Sequence, residues 1–359
     1  MIIVPIIAVA SMAVVIFFNM PSFGKSPSKH EISQMELSLN YKNGKFQNQL
    51  PTETMNKEKG YIKGIVEIAS AADKRSVPET DIPSKKIDLK NIPSNENIVV
   101  WMGHSSLFIQ FSGKKILVDP VFSLYASPVS FLNKSFKGMD IYSAEDIPEI
   151  DILMITHDHW DHLDYPTVLA LKPKVKYVIC PLGVGSHFRY WKYDSSKIIE
   201  TDWNESIKMD ALKIHTLPAR HFSGRSIIQN KTLWASFLLE SDDYKIYLSG
   251  DTGYGPHFLE IGKKFGNIDL AIMESGQYNA DGWPDIHILP SEAITAVREL
   301  NTKLLLPIHN GKFKLSLHAW DEPYDKLYEL TKNTDIQLLT PLPGEKINLD
   351  EKIIFPKWW

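Results

Sequence analysis

Four side chains able to ligate a metal, His157, His159, Asp161 and His162, fall within six consecutive positions directly after the apolar run Ile152-Leu153-Met154-Ile155. A short apolar run with polar flanks reads as a buried strand, so the pattern is a strand that ends in a metal-binding loop. Imidazole and carboxylate together suit zinc and similar borderline cations, whereas an all-carboxylate set would suit calcium or magnesium. From a strand end, His157 and His159 can reach one ion while Asp161 and His162 turn toward a second position. A solvated polar turn whose histidines cap a helix does not account for ligand types at this density. A helical zinc-protease site is excluded because His-Glu-x-x-His is absent.

The same grammar recurs downstream. Leu212 to Leu217 leads into Pro218-Ala219-Arg220-His221, Lys245 to Leu248 into Ser249-Gly250-Asp251, and Lys303 to Leu306 into Pro307-Ile308-His309. Taken singly, each has a bland reading as a surface histidine, turn aspartate or loop residue. After an independent four-ligand loop, their joint occurrence predicts a two-metal centre. Strand-length apolar runs also occur at Ile98 to Trp101, Leu107 to Phe111, Lys115 to Val118, Tyr177 to Cys180, Leu233 to Leu239 and Leu270 to Met273. Helical patterns lie between several of them, at Tyr165 to Leu171, Pro256 to Phe265, Ser291 to Asn301 with Ser291 as N-cap, and Pro323 to Lys332. Strands interleaved with helices in this way predict two sheets covered by helices on their outer faces.

A chain of 359 residues with 23% charged content suits one large or two small domains. Its formal net charge of -4 and scattered lysines argue against a nucleic-acid partner. The single cysteine, Cys180, excludes an internal disulfide and reads as a buried strand-end residue. No charged side chain occurs from Ile2 to Gly24, so residues 1–24 are expected to form a membrane anchor or signal-like helix, with an uncleaved anchor preferred over a cleaved signal. Membrane association through that helix is therefore expected, with the face undetermined; Lys25 and Lys29 favour a cytoplasmic body. Residues 25–96 read as a polar extended arm and 97–359 as the catalytic domain.

The stretches Thr156-His157-Asp158-His159-Trp160-Asp161-His162, His221, Ser249-Gly250-Asp251-Thr252 and His309 resemble the metallo-β-lactamase superfamily over about residues 97–345. Trp101-Met102-Gly103-His104, Ile116-Leu117-Val118-Asp119-Pro120 and Pro218 to Arg225 further resemble the branch containing N-acylphosphatidylethanolamine-hydrolysing phospholipase D. The arm segment Gly44 to Thr52 is similar to those relatives too. The resemblance implies an α+β fold, a four-layer αββα sandwich of two mixed sheets with outer helices. It also implies two Zn2+ ions, the first on His157, His159 and His221, the second on Asp161, His162 and His309, with Asp251 bridging them.

Two such ions about 3.5–4 Å apart share a water, lower its pKa toward about 7 and aim a metal-bridged hydroxide at phosphorus or carbonyl carbon. Asp161 and Asp251 would hold the cation pair and orient the nucleophile, and His287, matching a loop histidine of the phospholipase branch, is the candidate proton donor. His104 is read either as orienting a ligand or as a core contact, His318 as structural, and His187 and His257 as without a role. Tyr125 to Phe136 either rims a lipid-accepting groove or packs on the arm. The expected activity is a phospholipase D-type phosphodiesterase acting on N-acylphosphatidylethanolamine or related phospholipids. Hydrolysis of a small lactone, ester or cyclic phosphate, and a metal-stabilised interaction module, are the alternatives. A homo-oligomer is left open.

Overall fold

The uncharged N-terminal run folds as helix α1 (Ile3–Phe18), and it is too short for the anchor expected of it. Its 16 residues rise about 24 Å against a hydrocarbon core of about 30 Å. Among the described residues no helix is long and apolar enough to cross a membrane, which corrects both the expected anchor over 1–24 and the membrane association drawn from it. The reason is local: the helix ends at Phe18, and Pro21 opens a short 3-10 turn, Pro21–Phe23, that carries the chain back onto the body. The computed structural model describes residues 3–56, 75–351 and 354–359. The arm residues 57–74 and the first two residues of the apolar run lie outside them.

The described part of the arm is structured. Ser28 caps helix α2 (Lys29–Met35) in a capping box with Glu31, and β1 (Tyr41–Lys42) pairs with β2 (Lys45–Phe46) in a small hairpin turned by Asn43 and Gly44.

Beyond the arm, the strands β3 (Ile98–Trp101), β4 (Leu107–Phe111) and β5 (Lys114–Val118) run antiparallel, and β6 (Ile150–Met154), β7 (Val175–Pro181) and β8 (Ile198–Thr201) continue in parallel from β5. With β16 (Lys346–Asn348) at the far edge they form one seven-stranded sheet, in the order β16-β3-β4-β5-β6-β7-β8. The second seven-stranded sheet contains β9 (Ser206–Met209), β10 (Leu212–Leu217), β11 (Ser236–Glu240), β12 (Lys245–Leu248), β13 (Leu270–Glu274), β14 (Leu304–Ile308) and β15 (Gln337–Leu338) in sequence order. Strands β9 to β12 are antiparallel, and β12 to β15 parallel.

The two-residue period of a strand sends alternate side chains to opposite faces, and here both faces are covered. Val99, Ile109, Ile152 and Met154 pack against Ile214, Phe237, Ile246 and Ile272 between the sheets. The alternate residues Ile98, Val100, Phe108 and Leu153 pack outward with Val168, Leu171 and Phe188 of α3 (Tyr165–Leu171) and α4 (Gly185–Tyr190). On the other side Leu238, Tyr247 and Met273 meet α5 (His257–Phe265), α6 (Pro290–Glu299) and α7 (Glu322–Thr331). This is the four-layer αββα sandwich, with both faces of each sheet buried.

The helix expectations hold to within two residues at each end. The N-cap of α6, however, is Leu289 and not Ser291: Pro290 opens the helix and Glu292 accepts a hydrogen bond from the Leu289 N–H at 2.9 Å. The strand expected from Leu233 begins at Ser236. Strands β8, β9, β15 and β16 were not anticipated. They are short, all four at sheet edges, and their half-exposed residues carry little apolar signal. Cys180 is buried on β7, as its context indicates.

Candidate metal centre

Parallel strands end on the same edge of a sheet, and this positions the site. β5 and β6 pair in parallel with Val118 opposite Met154, so Asp119 and the 156–162 loop leave side by side. In the facing sheet β12, β13 and β14 are parallel. β10 points the same way through two antiparallel steps. Residues just past these ends, His221, Asp251, Glu274 and His309, therefore gather opposite the loop. Gly250 makes the last turn before Asp251 with φ of +57°, and a Cβ there would sit 2.7 Å from the Ala235 carbonyl oxygen.

The seven side chains expected as ligands come together. Asp251 lies between two sets of imidazoles. Its Oδ2 is 3.8 Å from His157 Nε2 and 3.7 Å from His221 Nε2, while its Oδ1 is 3.1 Å from His162 Nε2 and 3.1 Å from His309 Nδ1. His159 Nδ1 stands 2.8 Å from His157 Nε2 and 3.2 Å from His221 Nε2, and Asp161 Oδ2 is 3.6 Å from His162 Nε2. Within each of two groups, His157, His159, His221 with Asp251, and His104, Asp161, His162 with His309, the ligand atoms lie within 4.8 Å of one another.

The far side of several rings is fixed by a partner. His162 Nδ1 pairs with Asp119 Oδ2 at 2.8 Å, His221 Nδ1 donates to the Ile286 carbonyl at 2.9 Å, and His157 Nδ1 meets the Thr156 hydroxyl at 3.0 Å. Such partners set the tautomer, so that Nε2 faces the centre with its lone pair. Asp119 also accepts from the Thr156 N–H at 2.8 Å, locking the base of the loop.

The donor set fits a pair of cations. His162 Nε2 and Asp251 Oδ1 are buried without a hydrogen-bond partner, which is costly unless something polar or charged satisfies them. Burial, then the proximity of the other rings, holds His157, His221 and His309 well below the usual imidazole range. Burial likewise takes His159 to about 4 against the pull of Asp161 and Asp158. Against its own burial, His162 is drawn well above its ordinary value by Asp251, Asp161 and Asp119. Burial lifts Asp251 to about 7. Neutral imidazole lone pairs converging beside carboxylates that draw positive charge are the donor chemistry of a zinc-type site.

His287, the expected proton donor, stands at the rim. Its ring is 5.1 Å from those of His221 and His309, and its Nδ1 is 2.7 Å from Glu274 Oε2. Burial pushes the Glu274 carboxyl well above its usual range and the His287 ring below its own. For His104 the structure gives the orienting contact: its Nε2 is 2.8 Å from Asp161 Oδ2. His318 is structural, accepting from the Gln277 N–H at 2.9 Å and stacked on Tyr278.

Besides Asp119, three contributors were missed. Glu274 is the last residue of β13, a strand-end carboxylate after Leu270-Ala271-Ile272-Met273, so the rule that found Asp251 could have found it. His187, read as without a role, is buried and its Nε2 lies 3.0 Å from Asp158 Oδ2. From the arm, Asn48 brackets the backbone of His221, accepting from its N–H at 3.0 Å and donating to its carbonyl at 2.6 Å; no local pattern announces that contact. Within the Tyr125 to Phe136 segment, Ala126 and Pro128 line a groove beside the loop, while Phe136 packs on Ile82 of the arm.

A sequence model of the beta-lactamase superfamily domain matches residues 114–310. An uncharacterized protein of Mycobacterium tuberculosis is 35% identical over 329 residues, 90% of this chain and 88% of its own. The N-acyl-phosphatidylethanolamine-hydrolyzing phospholipase D 1 of Caenorhabditis elegans is 29% identical over 271 residues, 71% of this chain and 76% of its own. Among solved structures, a metallo hydrolase of the archaeon Ignicoccus hospitalis shares the fold with a TM-score of 0.53 at 19% identity, over 70% of this chain and 98% of that one.

Proposed function

Since the chain belongs to the metallo-β-lactamase superfamily and is a metal-dependent hydrolase, we propose that it is a two-zinc phosphodiesterase of the phospholipase D type. Its substrate is N-acylphosphatidylethanolamine or a related phospholipid. The observation that carries the reading is Asp251, one carboxylate with an oxygen toward each of two imidazole sets. The similarity to the nematode phospholipase supports the choice of a phospholipid.

His157, His159 and His221 would hold the first zinc and Asp161, His162 and His309 the second, with Asp251 placed between the two sets. Bound there, the pair supplies a nucleophile from water near neutral pH and neutralises charge developing on phosphoryl oxygens. The chain's own residues do the rest. Asp161 is held by His104, and the His162 ring is oriented by Asp119. With a proton on Glu274 Oε2 facing His287 Nδ1, the neutral His287 ring carries its own proton on Nε2; it gives that one to the departing alkoxide as the Glu274 proton moves to Nδ1. In this reading 97–359 remains the catalytic body, against which residues 21–25 and the described arm residues 41–48 are placed.

The deciding experiment is a substrate screen on purified, zinc-supplemented protein. Release of phosphatidic acid from N-acylphosphatidylethanolamine in mixed micelles is expected. Turnover of short-chain lactones with none of the phosphodiester would replace this reading by that of a small-ester hydrolase.

A further inference from the structure

The N-terminal segment that resembles an anchor in sequence is built into the wall of the site. Gly24, at φ of +71°, turns the chain so tightly against His187 that a Cβ would lie 2.0 Å from its Nδ1. The segment is then tied down through its backbone. Arg225 donates to the Ser22 carbonyl through Nε at 3.1 Å and Nη2 at 2.8 Å, Trp191 Nε1 donates to the Pro21 carbonyl at 2.8 Å, and the Lys25 N–H donates to His187 Nδ1 at 3.0 Å.

The same Arg225 reaches the metal loop, donating through Nη1 to the carbonyls of Asp158 at 2.9 Å and Leu163 at 2.6 Å, with its guanidinium 3.9 Å over the Trp160 ring. One buried arginine thus joins residues 21–23 to the loop that carries His157, His159, Asp161 and His162. Phe23 completes the joint, edge-on to Trp160 at 5.0 Å, and Phe17 and Phe18 pack on Phe23 at 5.2 and 5.4 Å.

This wall faces a groove of about 740 Å³, within the usual size range of small-molecule sites. Phe17, Phe18 and Phe23 line one part of it, Phe222 and Ile227 another, and His159 and Asp161 also belong to the lining. Apart from these ligands and the engaged Arg225, no charged side chain among the described residues lines it. One end is therefore at the proposed zinc ligands, and the other is at apolar side chains open to solvent, Phe18 at 36% and Ile227 at 81% exposure. Asn133, Ser226 and Gln229 add neutral polar groups to the lining, so the groove suits an uncharged and largely apolar extension of the substrate running outward from the centre.

We propose that residues 17–23 form the fixed wall of a substrate groove that takes a linear alkyl or acyl chain, with Phe18 and Ile227 setting the dependence on chain length. The inference rests on the phosphodiesterase reading for the head group only. It gives the end of the uncharged N-terminal run a role: Phe17, Phe18 and Phe23 serve the groove.

The test is calorimetric titration of the full-length, zinc-loaded protein with monoalkyl phosphates of eight to twelve carbons, kept below their micelle concentrations. Each added methylene is expected to tighten binding about two- to fourfold. The double variant Phe18→Ser/Ile227→Ser is expected to flatten that slope, while Leu39→Ser, an exposed leucine outside the groove, keeps it. Affinity independent of chain length in the unaltered protein, or a full slope in the double variant, overturns the proposal. A slope without hydrolysis of any phosphodiester would leave the groove standing and remove the phosphodiesterase reading; hydrolysis without a slope would do the reverse.

Discussion

At the scale of single residues, the chemistry of the centre was legible because ligand types are scarce and here occur at strand ends. His157, His159, Asp161 and His162 announce themselves by density, and His221, Asp251 and His309 by repeated context. Asp119, Glu274 and His187 act through partners that only folding brings near, at separations of 43, 13 and 29 residues. Asp251→Ala removes the one carboxylate shared by both imidazole sets. It is expected to lower kcat/KM by about 10³-fold or more and metal content from near two ions per chain to one or none; retained turnover at full metal content would move the site elsewhere. His257 provides a separate pH test. Burial, reinforced by Arg220, depresses it to about 3 from an ordinary 6.5. The unfolded chain therefore binds a proton that the folded chain refuses between those values, and stability falls as pH drops through the window, by up to about 1.4 kcal/mol per unit. In urea unfolding at pH 7 and pH 5, His257→Asn should show a shallower loss than the unaltered protein. Equal slopes would mean that His257 is protonated in the folded state.

At the scale of elements, the interior strands and all four expected helices were readable from apolar runs, since strands buried on both faces carry continuous hydrophobic signal. The edge strands β9, β15 and β16 carry too few buried side chains to be seen. Nor did the anticipated cap at Ser291 survive, because Pro290 fits the first turn of α6 and starts it earlier. The turn between β12 and Asp251 is where an element's geometry meets the chemistry. Gly250→Ala places a methyl against the Ala235 carbonyl at 2.7 Å and the Thr156 side chain at 3.0 Å, in a backbone conformation that favours glycine. A loss of about 1–3 kcal/mol in chemical denaturation, together with reduced zinc content, is expected. Unchanged stability would show that the turn relaxes without strain.

At the scale of the whole molecule, the two sheets present their strand ends to one another across a shared core, and the centre lies where they meet. Metal bound there joins both halves of the sandwich, so chelation should lower the melting temperature reversibly. A ligand at a thousandfold excess over its Kd stabilises by about 4 kcal/mol. Identical melting curves before and after chelation, with metal loss verified by elemental analysis, would mean that the ligands are not held together by an ion. The sequence by itself determined the donor types, the strand-then-ligand order and the layered fold, because residue chemistry and hydrophobic period are local properties. Only the tertiary structure decided that the uncharged N-terminus contains a 16-residue helix whose end docks on the metal loop, and that Asn48 brackets His221. Those outcomes depend on carbonyls, amides and ring faces meeting across 137 to 173 residues of chain, and the free energy of such contacts exists only once the sheets have packed.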